Sequence, residues 1–407
     1  MKRHLAFVAG AGAVSLFGAA HAVYAQVLPG DIDRSQFRAS AHALGMGGSD
    51  LLLNDGIDSA AANPAAIGDS GKFSFGLSAE ARTDNVKWSD INDVVDNVTK
   101  VRDQIDNTTG GISTGQVTAA YDAFDSIYNF AIKAGAQPNG GPATLKAVGA
   151  PSLGFSFGKF GVIAYGGVAV NLKLSAGTGT GPGLGLGLIP TGVVRPSAVQ
   201  IGDKRKVSVD GGLLAMSTVA VPIAVPIAVG VIGVSPKFVR ADYGALSYTA
   251  DASNNLISGT NYNSVSDQKL DVDLGFQSKS FLGVRYAAVV RNLLQPKFNL
   301  KRRVGGHDQA GDFNFTNSTE FDLGAMYTKE NASYVVEEHN LSGANGANST
   351  FHLGGEYRVG PVFALRAGYD DDRFVAGLGF NLHGTRFDIA SSSDPDQRIA
   401  ASVTGKF

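Results

Sequence analysis

The final ten residues constrain the fold more than any other feature. Ile399, Ala401, Val403, Gly405 and Phe407 alternate with Arg398, Ala400, Ser402, Thr404 and Lys406. A period of two places each set on one face of a β-strand. A mostly apolar face opposite a polar one, ending on an aromatic, is what a closed transmembrane barrel demands of a strand. The pattern recurs. Phe73, Phe75, Leu77, Ala79 and Ala81 interleave with Ser74, Gly76, Ser78, Glu80 and Arg82. Further runs follow at residues 270–277, 281–291, 320–327 and 351–358.

A charge facing lipid at mid-bilayer costs a few kcal/mol, so the charged faces must point inward. The candidate lumen-facing charges are Asp271, Asp273, Arg285, Arg291, Glu320, Asp322, Glu356, Arg358 and Arg366. Both signs are present, which predicts a paired polar lining. The expected fold is all-β: a transmembrane antiparallel β-barrel of about fourteen strands over residues 72–407.

The N-terminus predicts export to the bacterial outer membrane. Lys2 and Arg3 precede an apolar run at residues 5–20, with small-residue sites ending at Ala22 and Ala25, the layout of a signal peptide over residues 1–25. Phe407, as the last residue, is expected to be read by the outer-membrane barrel assembly machinery. Charged residues make up 17% of the chain, against about a quarter in soluble proteins. The net charge of −2 argues against nucleic acid. Cysteine is absent, which removes thiol chemistry and disulfides.

Three segments depart from alternation. Residues 26–71 are glycine- and alanine-rich and precede the first strand. Residues 83–150 carry two helical stripes, one through Ile91, Val94, Val98 and Val101, the other through Val117, Tyr121, Phe124 and Tyr128. They predict a helical hairpin in the first extracellular loop. Residues 213–234 are long and apolar enough for a spanning helix, but Pro222 and Pro226 oppose one. A hairpin turning at residues 220–225 is expected instead.

No motif carries catalysis. Gly154-Phe155-Ser156-Phe157-Gly158 fits G-x-S-x-G but lies in a strand pattern with no helix after it. The glycines alternating from Gly177 to Gly187 lack the Lys-Ser/Thr of a phosphate loop. Asp370-Asp371-Asp372 reads as a hairpin turn rather than a calcium site. The histidines show no paired metal-ligand spacing. Neither a metal nor a cofactor is expected.

Within residues 26–71, Ala43-Leu44-Gly45-Met46-Gly47-Gly48 and Asn63-Pro64-Ala65 resemble the start of FadL-like outer-membrane barrels. Val234-Ser235-Pro236-Lys237-Phe238-Val239, Val290-Arg291-Asn292-Leu293, Gly354-Gly355-Glu356-Tyr357 and Leu365-Arg366-Ala367-Gly368-Tyr369 are most similar to TraF-like conjugal transfer proteins, with PorV-like secretion barrels related. The resemblance implies an N-terminal hatch, with Gly45, Met46, Gly47, Gly48, Asn63 and Pro64 as its fixed points. It implies passive diffusion of small hydrophobic molecules, such as long-chain fatty acids, past that hatch. The alternative it leaves open is a structural or interaction component of a conjugation or secretion apparatus, contacting partner proteins in the outer membrane.

Overall fold

The computed structural model describes residues 40–53, 55–84, 125–138, 141–178, 205–251, 256–264, 266–300, 302–304, 307–308, 313–392 and 397–407. The expected signal peptide and the first helical stripe lie outside them. Fourteen strands form the wall: β1 (Phe73–Asp84), β2 (Ala143–Phe157), β3 (Phe160–Thr178), β4 (Arg205–Ala220, continued by Ile223–Ile227), β5 (Gly230–Asp251), β6 (Asp267–Ser278) and β7 (Val284–Arg291). There follow β8 (Glu320–Lys329), β9 (Ala332–His339), β10 (Thr350–Val359), β11 (Phe363–Asp370), β12 (Arg373–Leu382), β13 (Thr385–Ser392) and β14 (Gln397–Lys406). Each pairs antiparallel with its neighbour, and β1 pairs with β14 from Ser74↔Lys406 to Thr83↔Gln397. The barrel is closed, so no edge remains to be satisfied in lipid.

Alternation explains the wall. On β5 Ile232, Pro236 and Phe238 are exposed outward while Ser235, Lys237, Val239, Ala241 and Tyr243 are buried inward. The outward apolar run ends where Arg240 pairs with Asp242 at 2.9 Å, which marks the upper limit of the lipid-facing band. At the other end Phe73, Phe157 and Phe407 form an aromatic group across the seam, with Phe73–Phe157 centroids 5.4 Å apart. Phe407 closes that seam, its N–H donating to Phe73 O at 2.9 Å. Both seam ends and all the shortest strand connections save the Asp371–Asp372 turn share one rim. In outer-membrane barrels that rim is periplasmic and the longer loops lie outside. Among the described residues no helix is long and apolar enough to cross a membrane.

Two expectations are corrected. The chain does not turn at residues 220–225. The strand continues past Pro222, and the turn comes at Ala228–Val229, where Ile227 pairs with Gly230. Ala224 N–H donates to Lys159 O, so Pro226, two residues further, points its nitrogen the same way beyond the β2–β3 turn. No acceptor is paired with it there, and the proline is tolerated. The insertion is also shorter than residues 83–150, since β1 runs to Asp84 and β2 starts at Ala143. Its described helical part, residues 125–133, buries Ala131 against Ala143, Leu174, Ala176 and Val207. Those side chains lie on the outer face of the β2–β4 extension, so this helix flanks the barrel instead of covering its mouth.

Candidate functional site

The N-terminal segment folds back inside the wall. Helix α1 (Ala41–Gly45) begins at Ser40, whose Oγ accepts from Ala43 N–H at 3.2 Å. Helix α2 (Ile57–Ala60) and a 3₁₀ helix (Pro64–Asp69) follow. Pro64 occupies the first helical position, where its missing N–H costs nothing. Asn63 caps that helix by accepting from Ala65 N–H at 3.0 Å, and its Nδ2 donates to Leu51 O at 2.9 Å. Close approach to the wall needs small residues on both sides. Gly47 has φ +76°, and a Cβ there would overlap the Leu353 carbonyl. A Cβ on Gly275 would meet Asn63 Oδ1 in the same way. Gly45, Met46 and Gly48 pack against Gly377, Gly354 and the Asp370–His352 pair respectively.

A closed ring of buried charges joins this segment to three strands. His42 Nδ1 lies 2.8 Å from Asp55, and its Nε2 lies 3.1 Å from Glu356 on β10. Arg366 on β11 donates to Glu356 and to Asp388 at 2.8 Å each. Arg386 on β13 completes the ring, 2.6 Å from both Asp388 and Asp55. The His42 imidazole and the two guanidiniums thus alternate with three carboxylates, the pairing that buried charges require.

The other candidate charges distribute as follows. Arg291 pairs with Asp322, sits 3.8 Å from Glu320 and donates to Ala62 O at 3.1 Å. Arg285 donates to Leu52 O at 3.0 Å. Asp271 and Asp273 flank Lys237 at 3.3 and 2.7 Å, and they also accept from the N–H groups of Leu294 and Asn292 after β7. Arg358 is exposed at the rim that carries the short turns, donating to Glu356 at 2.8 Å. It does not line the lumen interior, because β10 ends there.

Sequence reasoning missed His42, Asp55, Glu337, Lys237, Arg386 and Asp388. Strand parity marks Lys237, Glu337, Arg386 and Asp388 as inward. Nothing in a single sequence links His42 to Glu356. Glu337 accepts from the N–H groups of Asp50 at 2.8 Å and Leu51 at 3.1 Å. With His339 these residues bring three ligand atoms within 4.8 Å, but the Glu337 carboxylate is already committed to the backbone and to His339. Ser156 of the G-x-S-x-G run faces inward and bonds Ser74 Oγ at 2.5 Å, which in turn accepts from Ile57 N–H. That hydroxyl is structural.

Asp55 and Asp58 titrate oppositely. Burial pushes Asp55 up, but Arg386 and His42 outweigh it and hold the carboxyl well below the usual range. Burial pushes Asp58 up to about 7, Asp55 adds to this, and the Ser78 and Ser152 hydroxyls oppose it. A raised carboxyl pKa gives stability that is complete below the unfolded value near 4 and is lost as pH rises through about 7. Docking of the segment is therefore expected to loosen between pH 5 and 8, read as protease access to residues 40–71. Asp58→Asn is expected to flatten that slope; a wild-type slope in the variant contradicts the assignment.

Above α2 lies a cavity of about 60 Å³. Lys237, Asp273, Arg291 and Glu320 form its polar floor, and Met216 and Val239 its apolar side.

The model of the F plasmid transfer operon TraF protein family matches residues 60–379. The chain belongs to that family. Its fold is shared by solved FadL-type barrels. The TodX monoaromatic hydrocarbon channel, as its deltaS2 mutant, is 11% identical over 91% of this chain and 100% of that one, with TM-score 0.50. The toluene transporter TbuX of Ralstonia pickettii is 14% identical over 92% and 100%, with TM-score 0.48. A Pseudomonas aeruginosa FadL homologue is 11% identical over 91% and 98%, with TM-score 0.41. The first of these is named as a channel and the second as a transporter. No curated protein matches the sequence significantly.

Proposed function

We propose that this TraF-family barrel is a bacterial outer-membrane channel for small uncharged apolar molecules, with residues 40–71 as its hatch. The fixed points of the hatch are Gly45, Met46, Gly47, Gly48, Asn63 and Pro64. The observation that carries the reading is a lumen filled by a separate, ion-paired segment with a cavity beside it that Met216 and Val239 line on one side. The solved channel and transporter relatives support it.

The charge balance favours uncharged solutes over fatty-acid anions. Around the cavity Lys237 and Arg291 face four carboxylates, those of Asp271, Asp273, Glu320 and Asp322. Each cation is already engaged, so an entering carboxylate would be buried among like charges at a cost of several kcal/mol. In vesicles containing the purified protein, toluene influx is expected to exceed that of protein-free vesicles, while laurate influx does not. Faster laurate entry would overturn the uncharged-solute assignment.

The TraF family match and the flanking helix at residues 125–133 favour a second reading, an interaction component of a transfer apparatus. It predicts that deleting residues 88–136 abolishes co-purification of partner proteins and leaves solute passage intact.

A further inference from the structure

We propose that the upper lumen holds a binding site for one ring-sized uncharged hydrocarbon, and that a hairpin of the chain itself is the site's displaceable occupant. This deepens the channel reading and rests on it.

The hairpin pairs Lys297–Leu300 with Phe313–Thr316 in a two-stranded sheet separate from the wall. Period-two alternation makes its first strand amphipathic, with Lys297 and Asn299 exposed and Phe298 and Leu300 fully buried. Phe298 stacks on Phe315 with centroids 4.9 Å apart. These three apolar side chains pack into a chamber formed by Ala169 of β3, Leu214 and Met216 of β4, and Val239, Ala241 and Tyr243 of β5. A barrel lumen is ordinarily polar. Three adjacent strands instead turn apolar side chains inward at one height, Ala169 pairing in register with Leu214 and Leu214 with Tyr243.

Met216 and Val239 also line the cavity over the hatch, so chamber and cavity share a boundary. At about 60 Å³ the cavity is too small for an aromatic ring; an apolar cavity of about 150 Å³ takes benzene. A phenylalanine side chain is a benzyl group, the size and chemistry of toluene. Withdrawal of Phe298 and Phe315 therefore vacates space of the right shape beside the existing cavity. Exchange of ring for ring leaves the polar contacts of the chamber unchanged. Asn299 N–H donates to the Asp267 carboxylate at 2.9 Å, a bond outside the apolar face and on the solvent side. Such an exchange binds weakly enough for release, which a channel requires.

The alternative is that Phe298, Leu300 and Phe315 are the permanent core of a fixed cap. The chain contains no cysteine, so Asn299→Cys supplies a single attachment point for an environment-sensitive fluorophore on the exposed face. The full-length protein in detergent is titrated with toluene. A saturable change in label emission is expected. In a Phe298→Ala/Phe315→Ala background the resident rings are gone, so toluene should bind at roughly tenfold lower concentration or less, because no occupied fraction must first open. The label change should then be lost, so the midpoints in both backgrounds are read by isothermal titration calorimetry. Folding of each variant is checked by heat-modifiable gel mobility. No label change in the wild-type background, or equal midpoints in both backgrounds, would overturn the proposal. Vesicle influx of toluene no faster than in protein-free vesicles, with the label response intact, would remove the channel reading and keep the site.

Discussion

Replacing Arg386 by methionine is expected to release residues 40–71, the proposed hatch, while leaving the barrel closed. The guanidinium sits between Asp55 of the hatch and Asp388 of the wall, 2.6 Å from each. Both carboxylates are buried and each keeps one partner, His42 for Asp55 and Arg366 for Asp388, so the substitution leaves the ring one negative charge in excess, and loss of one partner from a buried pair costs about 3–5 kcal/mol. The ladder of β13 is carried by backbone groups, from Thr385↔Gly405 to Ser391↔Ile399 on one side, and survives the change. The hatch has no such ladder. The expected result is protease cleavage within residues 40–71 and faster toluene influx, with unchanged β-sheet circular dichroism. Adding Asp55→Asn removes the excess negative charge and should recover part of the loss. A double variant as leaky as the single one would show that the ring does not hold the hatch.

Gly47→Ala is expected to have a comparable effect by a different physical route. The backbone at Gly47 lies at φ +76°, which costs an L-residue about 1–2 kcal/mol before any contact is counted. The new methyl also overlaps the Leu353 carbonyl, which is fixed in the β9–β10–β11 sheet and cannot yield. The hatch must lift at this end. Gly149→Ala on β2 is the matched control, because a Cβ there meets nothing within 4 Å. Raised influx through Gly47→Ala, with Gly149→Ala at the wild-type rate, is the expected outcome. Equal rates in all three would mean that the contact between residues 45–48 and the wall does not limit passage.

The wall was legible because period-two alternation is local. The runs at Phe73–Asp84 and Gln397–Lys406 announce strands without reference to any other residue. Their mutual pairing, which closes the barrel, joins residues more than 300 positions apart and leaves no local trace. The β4 turn was misplaced because proline removes an N–H, and from sequence alone that loss points to a turn. The structure aims the Pro226 nitrogen past the end of a neighbouring turn, where no N–H is needed. The charge ring was illegible for a third reason. His42 and Asp55 belong to irregular backbone, so no periodicity predicts which strand they meet. Phe298, Leu300 and Phe315 sit in four-residue strands, long enough to show alternation and too short to show that their apolar face enters the lumen.

In the proposed function, uncharged apolar molecules cross the outer membrane through this lumen, past a hatch held by Asn63 and the charge ring. The most direct test is uptake of radiolabelled toluene by cells lacking the gene, compared with the same cells carrying wild type or Asn63→Ala. Faster uptake with wild type than without the protein, and a changed rate in a folded Asn63→Ala variant, is the predicted result. Identical uptake in all the strains, with the protein present in the outer membrane, would contradict it.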